Sequence, residues 1–159
     1  MTSLSGKEFN ADKFMLDVNN RVLDKDFYIW DNDALCKLAV SIDGTALKYV
    51  INQTDEICKL AMQQNGYALQ YVRVQTDEIC KIAVSQNGTA LQDVIIQTDE
   101  ICKLAVSQTG TALYFVKTQT EEICKIAVKQ NGIALFHVRV KTDEICKLAA
   151  KGRAVQLCN

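Results

Sequence analysis

The sequence predicts an all-α architecture in which tandem helix-turn-helix repeats stack into an α-solenoid. Three observations carry this. Cys36, Cys58, Cys80, Cys102, Cys124 and Cys146 recur every 22 residues, and Gly44, Gly66, Gly88, Gly110 and Gly132 keep the same step. Within each period the apolar residues follow helical spacing, as at Ile57, Leu60 and Ala61. The 159 residues include no proline, so helix breaks are disfavoured throughout. A register this strict does not arise by chance, and a fixed period of this length marks a repeat architecture.

The domain organisation follows from the register. Residues 1–31 depart from the unit. Phe9, Phe14, Met15, Val18, Val22 and Leu23 suggest an amphipathic helix there, and Phe27 to Trp30 bring large apolar side chains to the first copy. This segment is expected to be an N-terminal helical cap. Residues 32–159 hold five full repeats, 32–53, 54–75, 76–97, 98–119 and 120–141, plus a truncated sixth that ends in a more polar stretch.

Each unit carries its own punctuation. Thr54, Thr76, Thr98, Thr120 and Thr142 stand where an N-cap belongs, with Asn32 in that place in the first copy. Acidic pairs follow at once, as in Asp55-Glu56, at the positive end of the helix. Lys59 lies four residues after Asp55, a spacing that permits an intrahelical ion pair. Asn65-Gly66 is expected to stop the helix through a left-handed glycine cap. The first helix is then about ten residues, near 15 Å long. In the second half, Ala68, Leu69 and Val72 suit a short helix, whereas Tyr71-Val72-Arg73-Val74 alternates like a strand. Two short helices are the primary reading. An α/β horseshoe solenoid is the alternative, although the leucine-rich pattern it needs is absent.

Stretches such as Cys80–Val94 and Gln97–Cys102 resemble the short 22-residue tandem repeats of a domain-of-unknown-function family. Such repeats abound in giant DNA viruses of amoebae, the mimivirus-like viruses, and occur in some intracellular bacteria. The resemblance covers residues 32–159 and implies an all-helical array. It implies no activity, catalytic residue or cofactor.

The chemistry reads as structural. No two cysteines have zinc-ligand spacing, and small, dense thiols suit closely packed helices. Cys158, near the chain end, is the one candidate for a reactive thiol. His137 is the only histidine, which excludes a multi-His metal site and leaves little for a nucleophile–base relay. Every glycine is isolated, so no phosphate-cradling loop exists. We therefore expect no enzyme, no catalytic residues, no metal, no cofactor and no small-molecule substrate.

A net charge of −1, with 48% hydrophobic and 23% charged residues, describes a soluble globular chain without the basic excess of nucleic-acid binders. No apolar run reaches the length of a membrane span, and the N-terminus lacks a signal peptide's apolar stretch. An intracellular location is expected, the host cytoplasm if the source is viral. Nucleic-acid binding along the column Lys37, Lys59, Lys81, Lys103, Lys125 and Lys147 is the rival function, though an acidic column shadows it.

What varies between copies is free to meet a partner. Tyr49, Tyr71, Asp93, Phe115 and His137 form one variable column, and Lys48, Gln70, Gln92, Tyr114 and Phe136 form its neighbour. A third group is Ile51, Arg73, Ile95, Lys117 and Arg139. Aromatic residues with Arg nearby are enriched at interface anchors. Tyr49, Tyr71, Tyr114, Phe115, Phe136 and His137 are the candidate contacts to a protein partner or to a second copy of the chain.

Overall fold

The computed structural model of the chain describes Asp17 and residues 30–151. The expected N-terminal cap lies outside the described residues apart from Asp17, Trp30 and Asp31, and so does Cys158. The described part is a strict alternation of α-helix and 3-10 helix. The α-helices are α1 Asp33–Ile42, α2 Asp55–Gln64, α3 Asp77–Gln86, α4 Asp99–Gln108, α5 Glu121–Gln130 and α6 Asp143–Lys151. Between them run the 3-10 helices η1 Gly44–Tyr49, η2 Gly66–Tyr71, η3 Gly88–Asp93, η4 Gly110–Phe115 and η5 Gly132–His137. Each α-helix packs on the next α-helix and each of η1 to η4 on the next 3-10 helix, which makes an α-solenoid. No strand occurs among the described residues, so the horseshoe alternative falls.

The N-terminal punctuation acts as read. Thr54 Oγ1 accepts from the Ile57 N–H at 3.3 Å, and Thr76, Thr98, Thr120 and Thr142 repeat that bond. Asn32 Oδ1 accepts from the Leu35 N–H at 3.1 Å in the first copy. A side-chain oxygen thus satisfies one of the first-turn donors of each helix.

The C-terminal end differs from the expectation. Asn65 is extended (φ −154°, ψ 107°), and its N–H closes α2 onto Ala61 O at 2.8 Å. Its Oδ1 then accepts from the Tyr67 N–H at 3.0 Å, so Asn65 both ends one helix and caps the next. Gly66 does not supply a left-handed cap; it opens η2. What it supplies is space. A Cβ built on Gly44 would sit 2.5 Å from Ala61 O of the following unit and 3.0 Å from Gln64 Oε1. Glycine is required because the next repeat's backbone lies against it.

The second helix is 3-10, not α. Ala68 N–H donates to Asn65 O at 2.9 Å and Val72 N–H to Leu69 O at 3.0 Å, both three residues back. With three residues per turn, side chains three apart eclipse one another. Leu69 and Val72 therefore share one edge and are buried. Ala68 and Tyr71 share a second, with Ala68 buried and Tyr71 half-buried. Tyr67 and Gln70 share the third and face solvent.

The core is one continuous column set running through every unit. In α2 it takes Ile57, Cys58, Ala61 and Met62, in η2 Ala68 and Leu69, and then Val72. Leu47, Leu69, Leu91, Leu113 and Leu135 are fully buried, each contributing about 1.5–3 kcal/mol by removal from water. At the front Trp30 is buried, with its ring 5.3 Å from that of Tyr49, and its carbonyl accepts from Ile51 N–H at 2.9 Å. This one described residue of the expected apolar cap segment does pack on the first unit.

Candidate functional site

Three polar ladders tie the units together before any surface is left for a partner. The first is ionic. Lys59 Nζ reaches Asp55 at 3.5 Å within its helix and Glu78 of the next unit at 2.7 Å. Lys37, Lys81, Lys103 and Lys125 bridge in the same way. The hydrogen bond to Glu78, with Asp55 adding to it, pushes the Lys59 pKa up. These five ammonium groups are each held between two carboxylates.

The second and third ladders are glutamine, and the sequence reading missed both. Gln97 Nε2 donates to Leu91 O of its own unit at 3.2 Å and to Phe115 O of the next at 3.0 Å. Its Oε1 accepts from the Lys117 N–H at 2.9 Å. Gln53 and Gln119 make the same three contacts. On the opposite edge Gln64 Oε1 accepts from the Gly44 N–H at 2.7 Å, and its Nε2 donates to Ile42 O at 3.0 Å. Backbone groups that neither helix pairs are satisfied by the neighbouring unit. The signal was available, because a polar residue fixed in nearly every copy has a structural partner.

The cysteines sit in the core. Cys36, Cys58, Cys80, Cys102 and Cys124 are buried free thiols. Burial raises their pKa, that of Cys36 to about 11. Raised pKa values of this origin make thiols unreactive. Cys146 differs from these five in being disulfide-bonded. No cluster of metal-ligating side chains occurs among the described residues. No helix among them is long and apolar enough to cross a membrane.

The candidate contact residues divide by edge of the 3-10 helix. Tyr49, Tyr71, Phe115 and His137 lie on the half-buried edge, the first three packed against the core. Tyr114 and Phe136 lie on the outer edge, 65% and 62% exposed, and Ile133 joins them at 56%. The Tyr114 ring meets Phe115 at 5.2 Å and His137 at 5.3 Å, both edge-on. These contacts link η4 to η5 and make one aromatic patch. The corresponding outer edge of η1 to η3 carries Thr45 and Lys48, Tyr67 and Gln70, and Thr89 and Gln92, with the Tyr67 hydroxyl accepting from Thr89 Oγ1 at 2.8 Å. The third variable group is only partly free. Arg73 donates to Ile51 O and Val50 O one unit back, and Lys117 and Arg139 do likewise.

With this geometry in view, the comparisons with known proteins are brief. A family model described as "Domain of unknown function (DUF4116)" matches residues 54–97. That span is two complete units, α2 through the loop that follows η3, and the same pattern extends on both sides of it. No curated protein and no solved structure matches the chain. The chain is thus similar to a repeat family of unknown function, and no catalytic family appears among the matches.

Proposed function

We propose that the chain is a non-enzymatic repeat scaffold that binds a protein partner through the aromatic patch on η4 and η5. The observation that carries this reading is the exposure of Tyr114, Phe136 and Ile133 on the outer edge of η4 and η5, an edge that in the earlier units holds one large apolar residue, Tyr67. The invariant columns are committed to inter-unit contacts, so they leave the 3-10 outer edge for recognition. Half-buried Phe115 and His137 brace the patch from behind. Grouped aromatic residues supply large contact area at low entropic cost.

The same ladders argue against the rival function. Phosphate binding needs free cations, and each of Lys37, Lys59, Lys81, Lys103 and Lys125 already faces two carboxylates. The reading places the protein inside a cell, the host cytoplasm if its source is a giant virus.

The test is a pull-down comparing the native chain with a Tyr114→Ser, Phe136→Ser variant, both shown to be folded by circular dichroism. A protein retained by the first and lost by the second supports the reading. Equal retention by both removes the patch from consideration. Retention of the native chain on a polyanion column, weakening steeply with salt, would favour nucleic acid instead.

A further inference from the structure

We infer that the groove between Ile95 and the start of α3 receives an arginine side chain from another protein. The array itself supplies the template. At three of the four described boundaries a cation in this column reaches back to two carbonyls of the preceding unit. Arg139 Nη1 donates to Lys117 O at 2.7 Å, and its Nη2 to Val116 O at 2.9 Å. Lys117 Nζ donates to Ile95 O at 2.9 Å and to Val94 O at 3.5 Å. Arg73 serves Ile51 O and Val50 O in the same way.

At the fourth boundary the residue is Ile95, whose side chain has no donor. The backbone there keeps its course. Ile95 N–H donates to Gln75 Oε1 at 3.0 Å, as the N–H groups of Arg73 and Arg139 donate to Gln53 and Gln119, also at 3.0 Å. The repeat therefore presents Val72 O and Arg73 O as it presents the other carbonyl pairs, without the cation. Val72 is correspondingly less covered, 7% exposed against 0%, 2% and 0% for Val50, Val94 and Val116.

The surroundings favour a cation on an apolar stem. A groove of about 190 Å³ opens at this point, lined by Gln75, Thr76, Asp77, Cys80, Ile95 and Ile96. Its counterpart one unit on, with Asp99 and Cys102 in the places of Asp77 and Cys80, is lined by Lys117 as well. Burial pushes the Cys58, Cys102 and Cys124 thiols up, and Arg73, Lys117 and Arg139 respectively work against it. At Cys80 burial and Asp77 both raise the thiol, and no cation opposes them. Asp77 itself meets Lys81 at 3.2 Å, so the two carbonyls are the principal acceptors. Ile95 and Ile96, 66% and 75% exposed, would flank the methylene stem.

A guanidinium suits the pair better than an ammonium, because its planar fork offers a separate nitrogen to each carbonyl, as Arg73 and Arg139 show. A free amino acid would bring its own carboxylate toward Asp77, so a peptide-linked arginine is the better ligand. The groove shares no residue with the aromatic patch, and the inference does not depend on what that patch binds.

The test is a titration of the full chain with N-acetyl-arginine amide, followed by nitrogen–proton NMR correlation spectra. Saturable shifts are expected at Gln75, Thr76, Asp77, Ile95 and Ile96, and none at Gln53 or Thr54, where Arg73 already fills the place. N-acetyl-citrulline amide, a neutral analogue, should bind roughly tenfold more weakly, since charge-assisted hydrogen bonds are about twice as strong as neutral ones. Ile95→Arg should abolish the shifts by filling the groove from within. Lys117→Ile should open a second site, seen at Gln97, Thr98 and Asp99. Absence of saturable shifts, equal shifts at Gln53 and Thr54, or equal binding of the citrulline compound would overturn the inference. So would binding that survives Ile95→Arg, or tighter binding of free arginine than of the amide. Most of these arms use the native chain alone, so they decide the matter whether or not the variants fold.

Discussion

Gly110→Ala isolates the close approach between units. A Cβ on Gly110 would lie 2.5 Å from Ala127 O, 2.7 Å from Gln130 Oε1 and 3.0 Å from Asn131 Cβ. Moving that carbonyl from 2.5 Å to the 3.4 Å edge of ordinary contact needs a displacement of about 0.9 Å. The carbonyl cannot move alone, because it accepts the Asn131 N–H at 2.9 Å at the end of α5, and Ala127 is fully buried. The η4–α5 interface must therefore open. Overpacking of this kind costs roughly 1–3 kcal/mol. Straining the Gly110 N–H bond to Gln130 Oε1 adds about 0.5–1.5 kcal/mol. The lower entropy of the unfolded alanine chain returns roughly 0.4–1 kcal/mol. A net loss of about 2–3 kcal/mol corresponds to a melting point lower by roughly 5–10 °C for a chain of this size. The assay is thermal unfolding followed by far-ultraviolet circular dichroism. An unchanged or higher melting point would refute the argument. Gly110→Asn sharpens it: a left-handed glycine cap would tolerate Asn, whereas a steric contact makes Asn at least as damaging as Ala.

Three other outcomes follow from the same geometry. Gln97→Leu removes three hydrogen bonds to the backbone and strands the Phe115 carbonyl and the Lys117 N–H, while Leu91 O keeps the Val94 N–H, so a loss of about 2–4 kcal/mol is expected in urea denaturation. Tyr114→Ser and Phe136→Ser should stay within about 0.5 kcal/mol of the native chain, since both side chains are exposed, whereas Phe115→Ala should be clearly destabilising. Stability should fall as pH rises above neutrality into the alkaline range. Burial raises the folded-state pKa of the five core thiols above their unfolded value of 9.0, that of Cys36 to about 11. The folded state therefore binds more protons than the unfolded state in that window, and the stabilisation present below pH 9 is lost on the way to 11. The lysines of the ionic ladder, also raised, act in the same direction at higher pH. Urea midpoints at pH 8 and pH 10.5 decide it, and a midpoint that holds or rises would contradict the burial of the thiols.

How much of this was legible in the sequence depends on whether a residue acts within its helix or across units. Thr54 caps a donor three residues away, and Asp55 and Lys59 meet within one turn, so spacing alone places them. The ten-residue span of α2 follows from Thr54 and Asn65 in the same way. The role of Gly66 was misread because its partner, Ala83 O, belongs to the next unit and leaves no local trace. The second helix was read as a helix but not as 3-10, since Ala68, Leu69 and Val72 suit either period over so few residues. Gln53 and Gln64 drew no notice in the sequence for the same reason: each works on a neighbour 18 to 22 residues away.

The 3-10 geometry also narrows which variation between copies can carry function. In an α-helix two positions three apart would be offset by about 60° around the axis. With three residues per turn they align, so Ile133 and Phe136 stand over one another on η5, as Thr111 and Tyr114 do on η4. Variation on the half-buried edge, Tyr49 to His137, is read through packing as well as through any partner. Variation at Arg73, Lys117 and Arg139 is coupled to the carbonyls of the preceding unit, and Ile95 in that column leaves Val72 O and Arg73 O without such a donor. The outer edge alone changes without altering any inter-unit bond of the three ladders. A recognition surface can diversify there without disturbing the three ladders, and in this chain the large apolar residues on that edge are Tyr67 on η2 and the more exposed Tyr114, Ile133 and Phe136 on η4 and η5.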